Sequence, residues 1–161
     1  MHSSKKRLSP SDMIDLVFNN RTKGRAYGRA FFARVFRAAQ PHIRSAKGLR
    51  AEVGITLIGP AAMRTLNRKR RKVDKTTDVL SFPLHMKPIS GYTAVLLGDL
   101  FICPDSVRAH AAQSGRSVRS QMAWTAIHGL LHLAGHDHET SASAARKMFA
   151  LERKILLSLG L

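Results

Sequence analysis

The sequence predicts an α+β domain: one small mixed sheet of about four strands packed by about five helices. Three observations lead there. Short segments of strand-like apolar alternation come early, up to Ile102. Segments with helical spacing dominate after it, and one of them, Val118 to Ala134, is apolar around nearly its whole circumference, so it is expected at the centre of the fold. No repeat or low-complexity linker divides the 161 residues, a length that suits one domain spanning residues 1–161, and 44% of them are hydrophobic.

Taken in order, Asp12 to Phe18 reads as a first strand and Asn19 to Gly28 as a loop. Residues 28 to 40 carry Ala30, Phe31, Val35, Phe36 and Ala39 beside basic residues, which makes an amphipathic helix broken by Pro41. Leu49, Ala51, Val53, Ile55 and Leu57 share one face of a second strand. Gly59-Pro60 opens a short helix to about Arg68, because proline suits the first helical turn. Thr77 to Phe82 is a short strand stopped by Pro83, and Lys87 to Gly91 is a loop. Thr93 to Ile102 is the most apolar strand, interrupted at Gly98-Asp99. Pro104 begins a helix that ends near Gly115, and Ser117 caps the central helix. A last amphipathic helix carries Ala145, Met148, Phe149, Ile155, Leu156 and Leu159.

Charge bounds the partners. Lys and Arg number 27 against 10 acids, a formal +17. So large a charge on a small domain implies a polyanion, nucleic acid first, although basic content alone does not separate RNA from DNA or anionic lipid. The cations cluster between Arg64 and Lys75 and in the first fifty residues, where no acid stands between Asp15 and Glu52. An acid-poor, arginine-rich start can be an organelle transit peptide, but the helical spacing at 28 to 40 favours a helix of the fold. Residues 1–25 then form a basic N-terminal extension at most. The single cysteine, Cys103, excludes an internal disulfide, fits a reducing compartment, and sits in an apolar run as a buried thiol. No apolar stretch approaches the roughly 20 residues that span a bilayer, and no secretory signal is visible. The expected location is the cytoplasm, or an organelle matrix if the N-terminus is a transit peptide.

The chemistry is concentrated between His128 and His138. His128 and His132 stand four apart, so a helix projects both imidazoles from one face. Gly135 can turn the chain through a left-handed backbone and bring His138 back toward them. Three neutral nitrogens plus an open position describe catalytic zinc: one ion, three histidines and a water. Two unpaired imidazoles in so apolar a helix would be costly to desolvate, and a metal removes that cost. The spacing is that of the metzincin peptidases, H-E-x-x-H-x-x-G-x-x-H, but Gly129 stands where they carry their general-base glutamate. That points to hydrolysis of a different bond. His136 lies off the ligand spacing, and Asp137 either orients a ligand ring or caps the next helix. No side chain stands out as general acid or base: Glu52, Asp74, Asp78, Asp99 and Glu139 exist, with Asp78 and Asp99 read as structural.

With these segments in view, the chain resembles the YbeY family of bacterial and organellar rRNA-maturation endoribonucleases. His128, Gly129, His132, Gly135, His136 and His138 match the signature H-G-x-x-H-x-x-G-[YFH]-x-H. Leu66 to Pro83 is similar to the family's L-N-x-x-[YF]-R stretch ending T-D-V-L-S-F-P, and Leu97 to Cys103 to its L-G-D-I-x-I. The resemblance covers residues 57 to 138 and is looser before 49. It implies a zinc-dependent, single-strand-directed endoribonuclease of 16S-type 3′-end maturation and ribosome quality control. Its partners would be single-stranded RNA, rRNA and ribosomal particles. It implies His128, His132 and His138 as ligands and Arg71 as the catalytic arginine in a basic groove. Arg70 departs from the usual aromatic, Thr76 from proline, and Arg146, Lys147, Arg153 and Lys154 from acidic positions in many relatives. The rival readings are a metallopeptidase, which Gly129 disfavours, and a non-catalytic ribosome-assembly factor with a structural zinc.

Overall fold

A computed structural model describes residues 14–43, 50–84, 91 and 94–161. Four strands form one sheet: β1 (Ile14–Asn20), β2 (Arg50–Leu57), β3 (Val79–Pro83) and β4 (Ala94–Ile102). Their spatial order is β1-β2-β4-β3. β2 runs parallel to β1 and β4, and β3 runs antiparallel to β4, so the sheet is mixed as the sequence predicts. Parallel neighbours need a crossover, and α1 (Arg29–Ala39) with a short 3₁₀ turn at Gln40–His42 supplies it between β1 and β2. α2 (Pro60–Arg71) follows β2, and three further helices, α3 (Pro104–Ser114), α4 (Val118–Leu133) and α5 (Ala142–Ser158), follow β4.

Of the N-terminal segment 1–25, residues 14–20 are β1 of the sheet, while 1–13 lie outside the described residues. The expected strand at 12–18 is thus found at 14–20, and the expected loops and strand starts at 49, 87–90 and 93 also fall outside them. α1 is a helix of the fold: Phe32, Val35, Phe36 and Ala39 are all buried on its inner face. Residues 29–39 thus pack as part of the main core.

α4 is central, as its all-round apolarity predicts: it touches β3, β4, α1, α3 and α5. Ile127, Leu130 and Leu131 are fully buried in the main core, alongside Ile55, Leu57, Leu100 and Ile102 of the sheet. Each such side chain contributes about 1.5–3 kcal/mol on burial. A smaller cluster of Ile58, Met63, Leu80 and Cys103, with Leu66, Phe82 and Phe101 packed against it, joins α2 to the sheet. Cys103 is the buried free thiol that its apolar run implies.

Two elements run further than their sequence cues. α2 extends three residues past Arg68, to Arg71, and stops where Lys72 takes a left-handed conformation (φ 61°). β4 passes through Gly98-Asp99 rather than breaking there: Glu52 pairs with Leu96 and Val53 with Gly98, leaving Leu97 as a bulge. Gly98 sits at φ 136°, and a Cβ there would fall 2.1 Å from the Phe82 carbonyl oxygen. Only glycine lets β3 approach β4 this closely.

Candidate metal centre

Ser117 caps α4 by accepting the Ser120 amide (3.1 Å), which fixes where the helix begins and so the phase of its two histidines. His128 and His132 sit one turn apart near its C-terminal end. The helix closes with the Gly135 amide on the His132 carbonyl and the His136 amide on Leu131, and Gly135 adopts φ 92°. The turn brings His138 back to the other two rings, as its spacing predicts. One ring nitrogen from each of His128, His132 and His138 lies within 4.8 Å of the others.

The ring geometry has the character of a coordination set. His128 Nε2 and His132 Nε2 face each other at 3.2 Å. Two nitrogens each about 2.0–2.1 Å from a tetrahedral zinc stand about 3.3–3.4 Å apart, so the pair has nearly that separation. His138 Nδ1 is buried with no hydrogen-bond partner. Burial, then the charges of His128 and His138, hold the His132 imidazole below its usual pKa of 6.5, favouring the neutral form that binds a metal. The three residues fit a divalent ion.

Glu152 is the residue that sequence reasoning missed. It lies on α5, is only 2% exposed, and accepts from His128 Nδ1 (2.7 Å) and from Trp124 Nε1 (2.9 Å). With Nδ1 donating to a carboxylate, His128 keeps Nε2 free for an ion, the usual carboxylate–histidine support of a metal ligand. A signal existed: Met148, Glu152 and Ile155 share one face of α5, so a carboxylate sits on its buried stripe. Trp124, also not singled out from sequence, stacks on His128 with ring centroids 5.0 Å apart. Among the described residues Asp137 makes no hydrogen bond to a ligand ring and does not cap α5, although its charge bears on His132. Its Oδ1 accepts the Glu139 amide at 2.8 Å, and Ser141 caps α5.

The three histidines open into a cleft of about 650 Å³. Arg70 and Arg71 at the end of α2 line it, together with Phe82, His110 and Trp124. Arg71 is exposed and makes no ion pair among the described residues, whereas Arg64 and Arg68 are tied to Asp74 at 2.8 and 3.9 Å. The Arg70 guanidinium lies 5.7 Å from the Phe82 ring centre. The basic run is thus divided into cations that brace the following loop and cations that face the histidines. Gly129, at the peptidase base position, packs on the sheet: a Cβ there would lie 2.9 Å from a Leu100 methyl and 3.2 Å from Val79. A glutamate there would have to displace the buried Leu100 side chain.

The family described as Endoribonuclease YbeY matches residues 18–160. Among curated proteins, the Endoribonuclease YbeY of Myxococcus xanthus is 46% identical over 105 residues, which are 65% of this chain but 35% of that one. The proteins of the same name from Lacticaseibacillus casei and Moorella thermoacetica are 40% and 44% identical, over 68% and 69% of this chain and 74% of each of theirs. The solution structure of a Thermotoga maritima protein is similar with a TM-score of 0.58 and 25% identity, covering 89% of this chain and 87% of that one.

Proposed function

The chain belongs to the YbeY endoribonuclease family, and we propose on that premise that it is a zinc-dependent endoribonuclease acting on single-stranded ribosomal RNA. The setting proposed is the cytoplasm, in 16S-type 3′-end maturation and ribosome quality control, with ribosomal particles as partners. One observation carries the reading: three imidazole nitrogens within 4.8 Å of one another open into a cleft rimmed by Arg70 and Arg71. Among the described residues no helix is long and apolar enough to cross a membrane.

His128, His132 and His138 would hold the ion. A zinc so held supplies Lewis acidity toward a phosphoryl oxygen and lowers the pKa of its water toward about 7. The remaining work falls to the protein. Arg71 presents a planar fork of donors to the non-bridging oxygens and offsets the charge that builds on phosphorus. Arg70 and its basic neighbours hold the flanking backbone, a contribution to affinity that salt weakens. Glu152 fixes the His128 tautomer, and Trp124 walls the ring on one side.

The assembly-factor alternative needs a structural ion, which generally takes four protein ligands. Among the described residues three converge, and the cleft lies open beside them. The test is cleavage of a single-stranded rRNA 3′-end fragment by zinc-loaded wild type beside His132→Ala purified identically. The expected result is cleavage by wild type, its loss with a chelator, and none by the variant. Equal cleavage by both, or RNA binding without cleavage by either, sinks the enzyme reading.

A further inference from the structure

A fourth imidazole faces the same cleft and belongs to no ligand set. His110 lies on α3, and its Nδ1 stands 2.8 Å from Asp78 Oδ2, just before β3. Asp78 is held in place: its backbone carbonyl accepts the Cys103 amide at 2.8 Å, and its side chain is 18% exposed. A carboxylate only accepts, so Nδ1 carries the hydrogen and donates it to Asp78, the far shorter of its two contacts, the other being the Gln121 side-chain nitrogen at 3.5 Å. The second nitrogen, Nε2, has no partner among the described residues, and the side chain is 47% exposed. The Trp124 ring packs edge-on against His110 and face-on against His128, with centroids 6.3 and 5.0 Å away. His110 therefore lines the same cleft as the three ligand histidines, with the Trp124 ring packed between it and His128.

The other groups of the cleft are poorly suited to moving a proton. Both oxygens of Glu152 are taken by His128 and Trp124. Asp137 Oδ1 is bonded to the Glu139 amide. Arg70 and Arg71 offer donors only and no acceptor, which suits them to holding phosphate oxygens. Glu139 and the second oxygen of Asp137 line the cleft as well and are the rivals. An imidazole whose Nδ1 is fixed by a carboxylate, with Nε2 directed to other work, is the arrangement by which an acid–base histidine is kept in one tautomer.

We infer that His110, oriented by Asp78, is the proton donor to the leaving oxygen in phosphodiester cleavage. The inference rests on the hydrolase reading above. In the step, the attacking oxygen of water or of a ribose hydroxyl forms a bond to phosphorus and loses its proton to solvent. The bond from phosphorus to the leaving oxygen breaks, and that oxygen takes the proton from Nε2 of the His110 imidazolium. The neutral ring then recovers a proton from solvent, and Nδ1–H stays on Asp78 throughout. His110 is the catalytic residue of this step and Asp78 a positioning residue.

The test compares zinc-loaded wild type, His110→Ala, His110→Gln, Asp78→Asn, Asp137→Asn and Glu139→Gln on two substrates. One is a single-stranded RNA, whose alkoxide leaving group needs a proton. The other is bis(4-nitrophenyl) phosphate, whose phenolate leaves without one. General acid catalysis is worth about 10²–10⁴-fold. Both His110 variants are expected to lose about that factor in kcat on RNA but only a few-fold on the activated diester, with RNA affinity and zinc content retained. Asp78→Asn is expected to lose less on RNA. Long-range ¹H–¹⁵N spectra of the full-length protein should show the Nδ1–H tautomer of His110 in wild type and a mixture in Asp78→Asn, a readout independent of turnover. Equal losses on both substrates, no loss on RNA, or a selective loss in Asp137→Asn or Glu139→Gln instead would overturn the assignment. Absence of zinc-dependent cleavage of either substrate by wild type would overturn the hydrolase reading and this step with it.

Discussion

Glu152 takes hydrogen bonds from two half-buried rings, His128 and Trp124, and so ties α5 to the histidines of α4. Removing it leaves two half-buried N–H donors without their partner and frees the His128 ring to turn. Glu152→Ala is expected to weaken zinc binding about 10–100-fold, the usual cost of losing a carboxylate behind a ligand imidazole; competition with a chromophoric chelator reads it, and unchanged affinity would refute the supporting role. His132 sets a pH dependence. Burial holds its folded pKa below 6.5, so below that pH the unfolded chain binds more protons at this site than the folded one. Its effect on the metal-free protein is thus absent above about pH 6.5 and becomes destabilising as the pH falls through it. Urea midpoints of the apo protein should drop between pH 7.5 and 5.5, and His132→Gln should show a smaller drop. His128, His132 and His138 were legible from spacing alone; Glu152 was not, because its role depends on which helix lies across from α5's buried stripe.

At the scale of elements, the bulge at Leu97 and the glycine after it decide how β3 meets β4. Gly98→Ala puts a methyl group into the Phe82 carbonyl and forces an alanine into a left-handed backbone region. A cost of at least about 2 kcal/mol follows from strain of this kind, read as a lower urea midpoint with an unchanged m-value. A variant as stable as wild type would mean the two strands can separate freely. The sequence marked Gly98-Asp99 as an interruption, and the strand nonetheless continues because the bulge absorbs one residue of register. The end of α2 was likewise underestimated. Four consecutive cations, Arg68 to Arg71, repel one another and argue against helix, yet they lie in its last turn, where the helix dipole favours positive charge. That extension carries Arg70 and Arg71 to the cleft.

Over the whole molecule, 27 cations against 10 acids make a field that gathers any polyanion, and only the fold says which cations meet it at the histidines. Each phosphate neutralised on a single strand contributes about −0.7 to the slope of log K against log salt. Arg70→Ala with Arg71→Ala should lower the magnitude of that slope for single-stranded RNA by about 1.4, two contacts at about 0.7 each. Arg64→Ala, which releases Asp74 and is paired away from the cleft, should change it less. Equal effects of the two changes would place the RNA elsewhere on the basic surface.

By itself the sequence determined what depends on neighbours along the chain. Helical spacing put His128 and His132 on one face, Gly135 allowed the turn to His138, and all-round apolarity marked α4 as the centre. The family resemblance, carried by contiguous motifs, rested on the same local order. Tertiary structure decided what depends on meeting across elements: Glu152 behind His128, Trp124 between two imidazoles, Asp78 on His110, and the split of the basic run between bracing and the cleft. Hydrogen bonds and burial join residues 24 to 32 positions apart here, and periodicity within one segment carries no information about its partner.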